Sequence, residues 1–189
     1  MFKPKSKVPT ALEIIDIAGL VAGAHKGEGL GNNFLSNIQA VDGIFHMVRA
    51  FKGLDITHVE GEVNPVNDMD VISNELIQKD IMNLTTKIND LSKKVERFND
   101  SSSKKQLEFC KKALQVLEKG TWIKDAEFTN KEIFYLNDLL FFTAKPVVYL
   151  VNISTKNFAS KKNKWLLKIK AWIEEKCPGK LLPFSVTYE

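Results

Sequence analysis

The chain has 189 residues, 44% of them hydrophobic and 26% charged, with 27 Lys plus Arg against 23 Asp plus Glu for a net charge of +4. That balance excludes disordered and collagen-like classes and allows one domain, or one domain with a sizeable insertion. The mild positive charge permits an anionic partner without requiring one.

Residues 12–17 (LEIIDI) form a short β-branched apolar run that reads as a buried strand emptying into a loop. The loop carries Gly19, Gly23, Gly27, Gly29 and Gly31, with His25, Lys26 and Glu28 among them, a glycine density suited to a backbone that must approach a ligand closely. Asn32 or Asn33 can cap a helix with Phe34, Leu35 and Ile38 on one face, ended by Asp42 and Gly43. A second strand is predicted over residues 44–51 (IFHMVRAF).

From Ile77 the apolar positions run Ile77, Ile81, Leu84, Ile88, Leu91, Val95 and Phe98, alternating steps of four and three that predict a coiled-coil stripe. Residues 99–103 (NDSSS) read as a turn. Leu107, Cys110, Leu114 and Leu117 then repeat the spacing, so the two segments are expected to pair as an antiparallel helical hairpin. A further helix with Ile133, Leu136 and Leu140 precedes residues 147–151 (VVYLV), a continuous apolar run typical of a central parallel strand. Residues 161–176 predict an amphipathic helix with Trp165, Ile169, Trp172 and Ile173 inward, stopped by Pro178 and Gly179, and residues 181–185 a last strand. Apolar strands separated by helices predict a parallel α/β sheet with a helical insertion between roughly residues 70 and 140.

Cys110 and Cys177 have no CxxC or Cys/His spacing, which argues against a disulfide framework or a zinc site and for a reducing compartment. No apolar run approaches the roughly 18 residues of a membrane span, and residues 1–10 lack an apolar signal core, so a cytoplasmic location is expected.

Three polar signals lie at predicted carboxyl ends of strands, where open α/β sheets place ligands. Asp16 and Gly19 make a DxxG, in which the acid can hold Mg²⁺ through water and the glycine amide can meet a terminal phosphate. Alone, the tetrapeptide is better explained by an Asp capping the next turn. Asn152 follows the VVYLV strand, and its amide could read a purine edge or simply make a turn. Ser185 closes the last strand in the same way.

In combination these signals gain specificity. The runs Asp16-Ile17-Ala18-Gly19-Leu20-Val21, Gly29-Leu30-Gly31-Asn32 and Asp42-Gly43-Ile44-Phe45-His46 resemble the YchF subfamily of Obg-like ATPases. So do Val48-Arg49-Ala50-Phe51, Asp55-Ile56-Thr57-His58-Val59-Glu60-Gly61, Lys145-Pro146 and Lys161-Lys162-Asn163-Lys164-Trp165-Leu166. The resemblance implies a TRAFAC-class P-loop NTPase (G-domain) sheet with an inserted coiled-coil hairpin, hydrolysing ATP in preference to GTP with Mg²⁺ and associating with ribosomes. It implies no membrane attachment and no sequence-specific DNA binding. By position, Asp16 matches the Mg²⁺-linked acid and Gly19 the γ-phosphate contact. Leu20 stands where many GTPases orient water with Gln. Leucine cannot hydrogen-bond water, so the γ-phosphate or a potassium-type cation would have to assist. Asn152, Ile153, Ser154 and Thr155 match the base-reading segment, with Thr155 in place of the family's Glu, and Ser185 matches the last base-proximal loop. No GxxxxGK[ST] loop occurs in the sequence, although Gly27 to Asn32 are glycine-rich. The chain therefore reads as an interior piece of such an ATPase: residues 1–69 and 141–189 from an incomplete G domain, residues 70–140 the helical insertion. The competing expectation is a non-catalytic interaction module that docks ribosome or protein through its hairpin.

Overall fold

The computed structural model describes residues 6, 8–16, 38–52 and 63–187. Its centre is a three-stranded parallel sheet, β1 (Ile44–Arg49), β2 (Val147–Asn152) and β3 (Lys180–Phe184), with β2 in the middle. Ile44 pairs with Val147 and Arg49 with Asn152; on the other side, Val148 pairs with Lys180 and Asn152 with Phe184. β2 is β-branched and apolar because both its edges and one whole face are enclosed. Pro183 lacks an amide donor and is tolerated because β3 is an outer strand of this sheet.

Parallel strands need long crossovers, and the one from β1 to β2 contains most of the helix in the chain. α1 (Pro65–Phe98) starts with Asn64 accepting from the Asn67 amide and with Pro65 at its first position, where a missing N–H is harmless. It ends where Asn99 turns left-handed at φ 48°, its amide donating to the Val95 carbonyl. The very next residue, Asp100, caps α2 (Ser101–Glu118) by accepting from the Ser102 and Ser103 amides at 3.2 and 2.8 Å. The break is thus two residues long, and the three serines predicted as turn lie in the first turn of α2. So short a link folds α2 back along α1, and Leu84, Leu91, Phe109, Cys110, Ala113 and Leu117 are buried in one core. Burying each of the leucines stabilises the pair by roughly 1.5–3 kcal/mol. Phe98, expected in the apolar stripe, is instead 75% exposed, because it is the last helical residue before the turn and faces no partner turn.

α3 (Asn130–Leu139) opens on a capping box between Thr129 and Glu132 and buries no residue fully. Leu140, predicted on its inner face, lies past its end at φ 46° and is exposed. The helix expected over residues 161–176 begins later, at Leu166, and a short helix not expected from the sequence precedes it. α4 (Thr155–Ser160) ends at left-handed Lys161, and α5 (Leu166–Lys176) starts after Asn163 accepts from the Trp165 amide.

The face of the sheet bearing Ile44, His46, Val48, Val147, Tyr149 and Val151 is the covered one. Trp172 of α5 meets Tyr149 edge-on at 6.2 Å, while its indole N–H donates to Asp70 of α1, which also pairs with Lys176. Trp122 donates to Ser73 at 2.8 Å, a second buried polar tie from α1. A third is Asp80, discussed below. On the opposite face Phe45, Met47 and Leu182 are about half exposed. Among the described residues, 12–16 are not in a strand, and Leu12, Ile14 and Ile15 are exposed, which corrects the expectation of a buried strand there. An apolar run becomes a strand only where a ladder partner lies beside it, and the three described strands pair only among themselves. Residue 17, the glycine-rich loop and most of the helix predicted after it lie outside the described residues; of that helix, residues 38–40 are helical, with Ile38 buried.

At the entry to β3, a Cβ on Gly179 would come 2.6 Å from the Val147 carbonyl oxygen and 3.0 Å from the Tyr149 ring. Gly179→Ala is therefore expected to push β3 off the centre strand and cost about 1–3 kcal/mol in a urea melt. Two titrating groups, half-buried His46 and buried Asp80, act oppositely on stability in acid. Burial pulls the His46 imidazole down to about 4 from 6.5, so its contribution is full above 6.5 and is lost as the pH falls toward 4. Burial raises the Asp80 carboxyl to about 6 from 3.8 against the hydrogen bonds of Thr143 and Phe142, so stability is lost as the pH rises from about 4 through 6. His46→Phe should lose less stability than wild type on acidification from pH 6.5 to 4, and Asp80→Asn more, as read from urea midpoints across that range.

Candidate functional site

The carboxyl ends of all three strands meet at one edge. β1 delivers Arg49, the buried Ala50 and Phe51; β2 delivers Asn152, Ile153 and Ser154; β3 delivers Phe184, Ser185 and Val186. The ladder extends slightly beyond the strands, since the Ala50 amide donates to the Asn152 carbonyl and the Ile153 amide to the Phe184 carbonyl, both at 2.9 Å. These bonds hold the edge in register, so the side chains that follow start from fixed positions.

Asn152 keeps its side chain at the edge, where Oδ1 lies 3.5 Å from the Val186 amide, a contact at the long limit of a hydrogen bond. The structure thus brings Asn152 beside the loop that carries Ser185. Ile153 is buried and anchors the chain beneath. The Ser154 hydroxyl accepts from the Asn157 amide and the Ser154 carbonyl from Phe158, making it the N-cap of α4 with Thr155 as first helical residue. Ser154 therefore has a structural task in addition to its place in the predicted base-reading segment, and Thr155 is exposed at the start of that helix.

Ser185 is the unusual member. It is 3% exposed, and its Oγ is buried with no hydrogen-bond partner among the described residues. A buried hydroxyl without a partner loses its hydration with nothing in return, which is the condition of a group kept for a ligand. Asp16 is described but exposed, and it stands in no element. Gly19 and Leu20 lie outside the described residues. Among the described residues no three acidic, His or Cys side chains cluster as a metal site, so a divalent ion here would depend on phosphate oxygens and water for most of its ligands.

Two residues at this edge were not singled out as site residues. Arg49 stands in register with Asn152, its Nε donating to the Phe51 carbonyl at 3.3 Å and its guanidinium lying 5.1 Å from the Phe51 ring centroid. Asn163 donates from Nδ2 to the Ala50 carbonyl at 2.9 Å and so ties the α4–α5 link to the end of β1. Both sit inside family-like runs of the sequence, but their spacing alone carries no signal; their role follows from the strand register.

A parallel sheet whose carboxyl edge gathers polar side chains is the layout of a nucleotide-binding α/β protein. The chain belongs to the 50S ribosome-binding GTPase family, whose profile matches residues 3–112, and its fold is that of the P-loop GTPases. It is 49% identical over 189 residues to Obg-like ATPase 1 of Oryza sativa subsp. indica, covering 100% of this chain and 48% of that protein. Obg-like ATPase 1 of Homo sapiens is 48% identical over 190 residues, covering 99% of this chain and 48% of its own length. The solved YchF GTPase of Schizosaccharomyces pombe superposes with a TM-score of 0.77 at 40% identity, over 85% of this chain and 44% of that one. The chain thus spans about half the length of the relatives it matches. No helix among the described residues is long and apolar enough to cross a membrane.

Removing the unpartnered hydroxyl should cost the fold nothing: Ser185→Ala is expected to leave thermal stability unchanged or raise it by up to about 1 kcal/mol. A loss of stability would show that the hydroxyl already has a partner within the fold.

Proposed function

We propose that this chain carries the switch and base-contacting parts of an Obg-like nucleotide hydrolase that binds ATP, and GTP less selectively, with Mg²⁺. The observation that carries the reading is the meeting of Asn152 with the Ser185 loop, whose buried hydroxyl has no partner among the described residues, at the carboxyl edge of the parallel sheet. Likeness to Obg-like ATPase 1 along the full chain supports it.

In this reading the purine lies against Asn152, Ile153, Ser154, Thr155 and Ser185. The Asn152 amide can both donate and accept toward the base edge, and the Ser185 hydroxyl gains the partner it lacks. True GTPases select guanine with a carboxylate that accepts from N1 and N2. The Thr155 hydroxyl is short and cannot reproduce that reach, which lowers discrimination between the purines. Asp16 would hold Mg²⁺ through water while the phosphates ligate it directly, and the Gly19 amide would meet the γ-phosphate. The ion would neutralise phosphate charge as it develops. Leu20 cannot orient water, so water activation falls to the γ-phosphate or a monovalent cation.

The sequence has no GxxxxGK[ST] to cradle the β- and γ-phosphates, so the affinity available from this chain's own residues lacks the main phosphate contacts. Calorimetry should give weak ATP binding for the 189-residue chain and Mg²⁺-dependent binding once a segment with GxxxxGK[ST] is fused upstream. In the fused protein Asn152→Ala should weaken binding by about tenfold, the loss of one hydrogen bond to the base. Failure of the fused protein to bind any purine nucleotide would overturn the reading.

A second reading concerns α1 and α2, predicted as an insertion over residues 70–140. Phe98 is exposed at the turn between them, and Lys93, Lys94, Lys104 and Lys105 are exposed close by in sequence. An exposed apolar residue with four lysines near it in sequence, although Glu96 and Asp100 are exposed there too, suits docking to an anionic assembly such as a ribosome in the cytoplasm. Charge reversal of these lysines should then abolish ribosome co-sedimentation, whereas unchanged co-sedimentation would return them to a solvated face.

A further inference from the structure

Asp80 lies in the middle of α1 and is 1% exposed, a position where a carboxylate persists only if it is fully hydrogen-bonded. Its partners all come from the short helical turn Phe142–Ala144 that leads into β2. Oδ1 accepts from the Phe142 amide at 3.0 Å; Oδ2 accepts from the Thr143 amide at 2.8 Å and from the Thr143 hydroxyl at 2.7 Å. Phe142 and Thr143 are themselves buried, so water cannot replace the carboxylate without opening the core.

The next residue but one reaches in the other direction. Lys145 donates from Nζ to the Val41 carbonyl at 2.6 Å and to the Gln39 carbonyl at 3.2 Å. Those are carbonyls left open at the carboxyl end of helical residues 38–40, where a cation is favoured by the helix dipole. Burial holds the Lys145 ammonium below the usual lysine range, and the charges of Asp42 and Asp80 partly offset it. Beyond it the two segments are zipped: the Ile44 amide donates to the Pro146 carbonyl at 2.9 Å, and Gly43 faces Pro146 with ordinary van der Waals space between them. One stretch of chain, residues 142–146, is therefore gripped by α1 on one side and grips residues 39–44 on the other.

We propose that residues 142–145 form a relay that couples the position of helix α1 to the order of residues 38–41, the segment that closes the run opening at Asp16. Asp80 shares the inner face of α1 with Ile77 and Leu84, at steps of three and four, so any roll or slide of α1 moves the carboxylate. The turn has little slack to absorb that movement, because the Phe142 and Thr143 amides and the Thr143 hydroxyl all end on the same carboxylate. Loading at the exposed end of α1 near Phe98 would reach the 38–41 segment by this route, and ordering of the 38–41 segment would reach the helical pair. The functional meaning rests on the reading of Asp16 to Leu20 as a nucleotide switch; the coupling itself does not.

Amide hydrogen exchange on the 189-residue chain without nucleotide separates the two. Asp80→Asn and Lys145→Met are each expected to raise exchange at residues 38–44 by about tenfold or more, the effect of leaving a buried polar partner unpaired. The double variant should exchange there no faster than the faster single, since each breaks the same connection. Lys176→Met, which removes one of the two ties between α5 and Asp70 of α1, should leave residues 38–44 unchanged. If Asp80→Asn does not fold, Thr143→Val deletes one of the three donors and should show the same pattern at about threefold. Faster exchange confined to residues 142–144 in Asp80→Asn, or single effects that multiply in the double variant, would overturn the relay. Neither result depends on whether the upstream fusion binds ATP.

Discussion

The two parallel ladders on β2 are the constraint on which the rest of the structure depends. Every residue of β2 is paired on at least one side, and Asn152 is paired on both, with Arg49 and Phe184. Because parallel register sets all three strand ends at one level, it also sets where the chain must leave the sheet. Arg49, Asn152 and Ser185 are near each other for that reason, although more than a hundred residues separate the first two in sequence.

The crossover between β1 and β2 poses a different physical problem. A 34-residue helix has many apolar contacts that tolerate sliding, since neighbouring turns look alike to a Leu or an Ile. Directional contacts remove that freedom. Asp70 with Trp172 and Lys176, Ser73 with Trp122, and Asp80 with Phe142 and Thr143 are spaced along the first half of α1 and reach three different parts of the chain. Buried polar partners are costly to leave unpaired, so each rejects alternative registers that the apolar seam would allow. In the second half of α1, Leu84 and Leu91 are buried and Ile88 packs against the same core, which α2 shares.

Legibility in the sequence followed the range of the interactions. β1 and β2 were recognisable because both carry runs of apolar and β-branched residues, and α1 and α2 because Leu84, Leu91, Cys110 and Leu117 repeat at helical spacing. Boundaries were less so. The start of α1 at Pro65, the two-residue break at Asn99 and Asp100, and the division between α4 and α5 depend on single capping bonds that several nearby residues could have supplied. Residues 12–16 had the composition of a strand, yet composition cannot provide a neighbouring ladder. The site was legible as separate polar residues following strands; that Asn152 reaches the Val186 amide, that Ser185 is buried without a partner among the described residues, and that Arg49 and Asn163 belong to the same edge were not.

The sequence by itself determined the parallel α/β class, the long helical crossover and the kinship with Obg-like ATPases, because these rest on local periodicity and on long runs of matching residues. Tertiary structure alone decided which face of the sheet is covered and which polar groups end up buried. It also decided that Asp80 and Lys145 hold opposite sides of one turn. Those outcomes depend on contacts between residues that lie tens to more than a hundred positions apart, and the energy of such a contact exists only once the chain has closed the loop between them.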